Sequence, residues 1–492
     1  MGRASGRTIE RRRTASAERP ARGVLVNDVH SRLNPTRVAR VLTPRSIPEL
    51  REAVRACARA GLALTASGGR HAMGGQAFGS GAVLLDTRSL DRIVDFDREA
   101  RTIEVEGGAQ WPALVAATRR LDAPGEEPLA IVQKQTGADR MTVAGSVSAN
   151  AHGRGLRLAP IGAQVEALSI VDARGELVTC SRARDPGLFR LVLGGYGLFG
   201  VVATVTLRLA RRFRVRRRVE LRSTRGLMRA FDARADAGFR YGDCQLAVDA
   251  ASDDFLARGV FSCYEPVADG TPAGGRRRLS PADWRELLYL AHADKQRAFE
   301  RYAEHYLATD GQVYDSDAHQ LAEYLDDYHD EIDRRTRARA PGSEMITELY
   351  VPPAELEPFL EALRARLRAS RADVVYASVR RIERDRDSFL AWAREPWACL
   401  VLNLHVEHTP AGLAAARRRF RAAIDTALAH GGSFYLAYHR WATAGQLRRA
   451  HPRIDAFLER KLARDPHERF RSDWYAALKR TLGRRPAGRA DF

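Results

Sequence analysis

The chain has 492 residues, with 80 Lys or Arg against 61 Asp or Glu and a net charge of +19. That length exceeds what one core usually serves and predicts two domains. A hydrophobic content of 45% with 29% charged residues is that of a globular protein. No run of about twenty apolar residues marks a membrane span, so no integral membrane contact is expected. Only Lys134, Lys295, Lys461 and Lys479 are lysines. The arginines are spread along the chain and not gathered on one face, so no nucleic-acid partner is expected; "RRFRVRRR" (211–218) is the nearest thing to a basic run. The five cysteines lie far apart without a C-x-x-C pair, which excludes a zinc ribbon and reads as reduced thiols.

In chain order, residues 1–24 are polar and Arg-rich and lack the apolar core of a secretory signal. They read as a disordered tail of a cytoplasmic protein. A strand is predicted over 38–42. Ser46 and Glu49 then form an S-x-x-E capping box, Leu50, Val54, Cys57 and Ala58 give a helix one apolar face, and Gly61 stops it. A second strand over 62–66 runs into "ASGGRHAMGGQAF", where two glycine pairs bracket His71. Glycine pairs let a backbone approach something closely.

"AVLLDTRSLDRI" and "TIEVEGGAQWPALVAAT" read as two strands, the second turning at "GG" into a helix. "TGADRMTVAGSVSANAHGRG" (136–155) is a second loop of small residues. "VEALSIVDARGELVTC" is a hairpin with its turn at Ala-Arg-Gly. "DPGLFRLVLGGYGLFGVVATVTLRL" is a helix, a glycine turn and a long strand. Its Gly195–Gly200 segment matches G-x-G-x-x-G, but the helix precedes it and the strand follows, the reverse of a dinucleotide fingerprint. From 216 to 430 the texture changes to strands with a helical insertion over about 272–345, which Ser280-Pro281 opens as N-cap and first residue. After "HGG" (430–432) come a strand, "SFYLAYHRW", and a C-terminal helix, with a tail over 481–492.

Taken together, "TASGGRHAMGG", "TGADRMTVAGSVSANAHGRG" and "GGYGLFGVV" resemble the two pyrophosphate loops and the adenine-end strand of the vanillyl-alcohol-oxidase superfamily. The resemblance covers roughly 25–215 and 431–480. It implies an α+β fold: a PCMH-type FAD-binding domain over 25–215, a substrate (cap) domain over 216–430 with an antiparallel sheet and helices, and a return of the chain to the first domain over 431–480. The implied cofactor is FAD, held by Ser67, Gly68, Gly69, Arg70, His71 and Ala72 in the first loop. In the second loop the implied residues are Gly137, Thr142, Val143, Ala144, Gly145, Ser146, Ser148, His152 and Gly153, and in the following strand Val201 and Val202. Backbone N–H groups of glycine-rich loops hold a pyrophosphate without cationic side chains, which agrees with this reading; ordinary turns are the alternative. In alditol and gulonolactone oxidases a histidine in a G-x-x-H loop is joined to the flavin, and Gly68-Gly69-Arg70-His71 puts His71 there, with Ala72 where Ser is usual. Residues 136–155 contain no Cys, so one covalent bond is the maximum.

The C-terminal segment resembles the ends of decaprenylphosphoryl-ribose, aldonolactone and alditol oxidases. The catalytic Lys of the ribose oxidases is Tyr438 here, followed by His439 and Arg440, which counts against a lipid-linked ribose. In "CLVLNLHVE", Leu400, Leu402, Leu404 and Val406 share one face, and Cys399, Val401, Asn403, His405 and Glu407 the other, which either lines a site or faces solvent. His405 and His408 fall on opposite faces, so no metal site is expected of them. Glu348 shares a face with Ile346 and Tyr350. Alditol oxidases carry an E-x-R pair in a strand like "YASVRRI"; here the two positions are Ser378 and Arg380, leaving Glu348 to supply a carboxylate. The implied activity is hydride transfer from the carbinol of a polyol, sugar or aldonolactone to flavin. Tyr438, His439, Arg440, Glu348, Arg380 and Asn403 are the expected catalytic residues. The electron acceptor is oxygen, or a quinone or protein in a dehydrogenase. A basic binding protein with a dead site is the reading from another class.

Overall fold

The computed structural model describes residues 23–272, 277–322, 325 and 327–484. The expected N-terminal tail, except residues 23 and 24, lies outside the described residues, as does most of the tail over 481–492.

Three larger sheets and a two-stranded ribbon organise the described residues. A small parallel sheet takes its strands in the order Arg40–Leu42, Val83–Asp86, Leu64–Ser67. The helix Ile47–Arg59 crosses between two of them and buries Leu50, Val54 and Cys57, each contributing about 1.5–3 kcal/mol on leaving water. Ser46 caps it by accepting from the Glu49 N–H, but the Glu49 carboxylate turns to the Arg45 N–H, so only half of the expected box forms. The 38–42 strand is split, Thr36–Val38 pairing with Val24–Val26 and Arg40–Leu42 joining the parallel sheet. The loop that leaves Ser67 at the end of this sheet is the glycine-rich one.

A six-stranded sheet follows, ordered Leu177–Ser181, Val165–Val171, Val201–Arg211, Thr102–Glu106, Ile93–Asp97, with Leu129–Ile131 also pairing to the long strand. The 165–181 hairpin and the helix-turn-strand through Gly195–Gly200 form as the sequence predicts.

The third sheet has eight strands, all paired antiparallel. Its centre runs Tyr241–Leu246, Val374–Ile382, Trp397–Glu407, Gly342–Val351. The insertion lays the helices Pro281–Ala293, Lys295–Leu307 and Tyr328–Thr336 beside it, and lends it an edge strand, Val313–Asp315. Ser280 and Asp283 cap the first of these helices reciprocally, with Pro281 at its start.

Two expectations for the C-terminal segment fail. The strand after 432 is only Ser433–Phe434. It pairs with Leu349 and Tyr350 at the sheet edge, and one further bond, from the Tyr435 N–H to the Glu348 carbonyl, ends the ladder. The chain then turns, which brings Tyr435 and Tyr438 to one cavity; a strand would have sent side chains three apart to opposite faces. The single C-terminal helix is three, Ala444–Ala450, Ile454–Arg464 and Asp473–Thr481. Pro452 and Pro466 lie just past the first two, and the residue before a proline resists the helical region. The segment around Phe470 lies against the parallel sheet: Leu64 donates to Arg469 and accepts from Arg471 across its edge.

Candidate active site

Between these sheets lies a cavity of about 950 Å³. One side is built from the glycine loop after the Leu64–Ser67 strand. The peptide N–H groups of Gly68, Gly69 and Arg70 have no acceptor among the described residues, and the buried Ser67 hydroxyl has no partner either. Arg70 is held with φ +59. A Cβ on Gly68 would stand 2.2 Å from Thr142 Oγ1, and one on Gly69 would stand 2.3 Å from the Arg140 carbonyl oxygen. The two loops therefore touch through their glycines, and only Gly lets them. Unsatisfied amides and a hydroxyl along a cavity wall are the donor set that a pyrophosphate needs. The cradle fits FAD.

All six first-loop residues, Ser67 through Ala72, line the cavity, as do Gly137, Thr142, Ala144, Gly145, Ser148, His152, Val201 and Val202. Val143, Ser146 and Gly153 do not. Val143 is core; Ser146 Oγ is used internally, donating to Gln135 and accepting from the Trp111 indole. Gly153 packs against the Lys134 carbonyl, 2.5 Å from where a Cβ would be. His71 reaches the cavity with Nδ1 2.7 Å from Nε2 of His30. Burial, and then the neighbouring His329, lower the His30 pKa to about 4.

The opposite wall comes from the eight-stranded sheet. Glu348 is buried and accepts three hydrogen bonds: from Tyr438 Oη at 2.7 Å, from Tyr350 Oη at 2.7 Å and from His152 Nε2 at 2.8 Å. His152 Nδ1 is 3.1 Å from the Gly153 carbonyl. Burial alone would raise the Glu348 carboxyl, but His152, Arg380 and the Tyr438 hydroxyl outweigh it and bring it down to about 2. Glu348 is thus a fixed anion that orients Tyr438, and too weak a base to hold a proton at neutral pH. Burial and that carboxylate hold the Tyr438 phenol well above its usual range. Trp392 supports the cluster, stacking on Tyr350 at 4.7 Å and lying 5.4 Å from the His152 ring, while its indole N–H is tied to the Asn150 carbonyl.

Arg380 and Asn403 also line the cavity. The Arg380 guanidinium is buried, and its Nε has no hydrogen-bond partner; Asn403 Oδ1 is likewise unpartnered. A carboxylate and a guanidinium therefore meet this cavity from different strands, Gly342–Val351 and Val374–Ile382, with Trp397–Glu407 between them. The polar face of that middle strand turns inward at Val401 and Asn403, and Leu400, Leu402, Leu404 and Val406 are buried on the other.

His439 and Arg440 do not line the cavity. The turn after Phe434 aims His439 the other way, among Phe420, Phe434 and Trp441, where burial lowers its pKa to about 3. Arg440 bonds Asn34 Oδ1.

Sequence reasoning missed Arg154, Arg217 and His319, which also line the cavity. Arg217 sits in the basic run but points inward, its Nε 2.9 Å from Tyr264 Oη and its guanidinium 5.1 Å from the rings of Tyr264, Tyr306 and Tyr314. The signal was there: in Arg214–Ser223 Val215 and Arg217 are buried while Arg216 and Arg218 are not, so period two separates the lining Arg from the solvated ones.

Residues 38–181 match the family described as FAD binding domain. The chain is 31% identical over 186 residues to L-galactono-1,4-lactone dehydrogenase 2 of Oryza sativa subsp. japonica, 38% of this chain and 29% of that protein. It is 29% identical over 198 residues to L-gulono-1,4-lactone dehydrogenase of Mycobacterium tuberculosis (strain ATCC 25618 / H37Rv), 40% of this chain and 43% of that one. It is 33% identical over 183 residues to cytokinin dehydrogenase 6 of Oryza sativa subsp. japonica, 34% and 33%. The chain spans less than half the length of these relatives. Cradle, cavity and similarity agree on the cofactor, FAD, and residues 38–181 make up an FAD-binding domain similar to those of these dehydrogenases.

Proposed function

We propose that this protein is an FAD-dependent oxidoreductase that oxidises a hydroxyl-bearing carbon of a polyol, sugar or aldonolactone, with FAD joined to His71. Bound FAD supplies the hydride acceptor. The observation that carries the reading is the Tyr438–Glu348 pair opposite the glycine cradle, with the Arg380 guanidinium buried beside it and its Nε unpaired. Tyr438 donates to Glu348, which leaves its oxygen lone pairs to accept from a substrate hydroxyl. Arg380 and Asn403 offer a donor and an acceptor for neighbouring oxygens of the same molecule. Two of the relatives are named as lactone dehydrogenases, which supports this class; the third is named for cytokinin. Oxygen, or a quinone or protein, would reoxidise the flavin.

The test is anaerobic bleaching of the flavin band by polyols, sugars, aldonolactones and hydroxy acids. Bleaching by one of these and not by cytokinin-like amines is expected. Bleaching by the amines alone would overturn the assignment, and a purified protein without a flavin band would remove the enzyme reading.

A further inference from the structure

A second buried carboxylate stands on the same strand face as Glu348. Glu344 is four residues earlier in Gly342–Val351, roughly 13 Å along the strand. Three imidazoles from three other elements surround it. His292, on the helix Pro281–Ala293, has Nε2 3.1 Å from Glu344 Oε1. His405, on Trp397–Glu407, has Nδ1 3.5 Å from the same oxygen. His329, on Tyr328–Thr336, has Nδ1 2.7 Å from Oε2, and Tyr328 Oη donates to that oxygen at 2.5 Å. The ligand atoms of His292, Glu344 and His405 lie within 4.8 Å of one another.

A hydrogen-bonded network tying the insertion to the sheet accounts for the bonds from Tyr328 and His329, and it leaves over the three atoms grouped at His292, Glu344 and His405. His405 Nδ1, 3.5 Å from the carboxylate, is a buried polar atom without a well-formed hydrogen bond, and such an atom calls for an ion or another partner. Two imidazole nitrogens and one carboxylate are a zinc-type donor set, and three protein ligands leave a coordination position open. His292 and Glu344 also line the cavity.

We propose that His292, Glu344 and His405 bind one divalent ion of the zinc class in the cavity wall, with its open position turned to the substrate space. The ligands are separated by 52 and 61 residues, so no sequence spacing announces them. The H-x-x-H of 405 and 408 is not the motif: His408 lies on the other face, with Nε2 2.8 Å from Ser343 Oγ.

The experiment uses the full flavin-loaded chain, treated with chelator, desalted, and titrated with Zn2+ against a competing chelating dye. One zinc per chain is expected. His292→Ala and His405→Ala should each weaken it by about 100-fold or more, since even partners behind the ligands are worth 10–100-fold. His408→Ala should bind as the parent does. Where an alanine variant does not fold, Glu344→Gln keeps the volume and should lose the zinc with its flavin spectrum intact. A parent protein that retains no stoichiometric zinc would overturn the proposal, as would folded His292, His405 or Glu344 variants that bind it unchanged.

Discussion

Tyr438 and Glu348, 90 residues apart in sequence, are joined by a 2.7 Å hydrogen bond at the wall of the cavity. The bond fixes what each can do: Glu348 keeps the tyrosine hydrogen, and Tyr438 turns its lone pairs to the substrate space. Tyr438→Phe removes only the hydroxyl and keeps the ring. A hydrogen bond to a buried group contributes about 1–3 kcal/mol, so stopped-flow reduction by the substrate under anaerobic conditions should slow by about tenfold, with unchanged flavin content. An unchanged rate would make this tyrosine a packing residue.

The Glu348 carboxylate also has a pH signature. Its folded-state pKa, about 2, lies below the ordinary 4.5. The stability it contributes is therefore complete above about pH 4.5 and is lost as pH falls toward 2. For a fully buried group that difference is on the order of 3 kcal/mol. Denaturant titrations should show the parent losing about that much more stability than Glu348→Gln between pH 5 and pH 2. Parallel pH profiles would mean that the carboxylate is not held ionised.

Gly145 tests the cradle separately from the fold. A Cβ there meets only Thr142 Oγ1, at 3.1 Å, and the residue lines the cavity. Gly145→Leu should therefore fold, with a melting temperature near that of the parent, and purify without colour. Full flavin content in that variant would place the cofactor elsewhere. Gly68 cannot serve for this, because even alanine would collide with Thr142.

What the sequence shows and hides here follows from distance along the chain. The glycine loops and the 165–181 hairpin are local, so small residues, capping pairs and turn residues mark them directly. The Glu348–Tyr438 pair is tertiary; a strand pattern through "SFYLAYHRW" even predicts the wrong direction for His439, because nothing local says that the sheet edge ends at Phe434. Arg380 and Glu348 share no motif, since a third strand separates theirs. Arg217 was legible by alternation, yet a run of six arginines in eight residues drew attention to charge and away from period.

His71 lies in the cavity with Nδ1 2.7 Å from His30 Nε2, and this contact orients the imidazole for the proposed covalent link. His30, whose pKa is lowered to about 4 by burial and then by His329, is neutral at pH 7 and so can accept a hydrogen bond. With Nδ1–H donated to His30, the lone pair of His71 Nε2 is the nucleophile. With FAD bound, His71 Nε2 would be the atom to meet the flavin 8-methyl carbon, one hydrogen leaving each partner as a proton to solvent and the flavin supplying the two-electron sink that oxygen or another acceptor refills. His30 would hold the His71 ring in the tautomer that leaves Nε2 its lone pair. Acid precipitation should leave yellow colour in the pellet, and the intact chain should gain the mass of one FAD less two hydrogens. His71→Ala should release all colour to the supernatant while still binding FAD through the cradle. His30→Ala should keep His71 but lower the attached fraction by about tenfold at early times after adding FAD to apoprotein, the scale of one lost hydrogen bond. Colour confined to the supernatant in the parent protein would reject the bond and leave the FAD-binding fold standing.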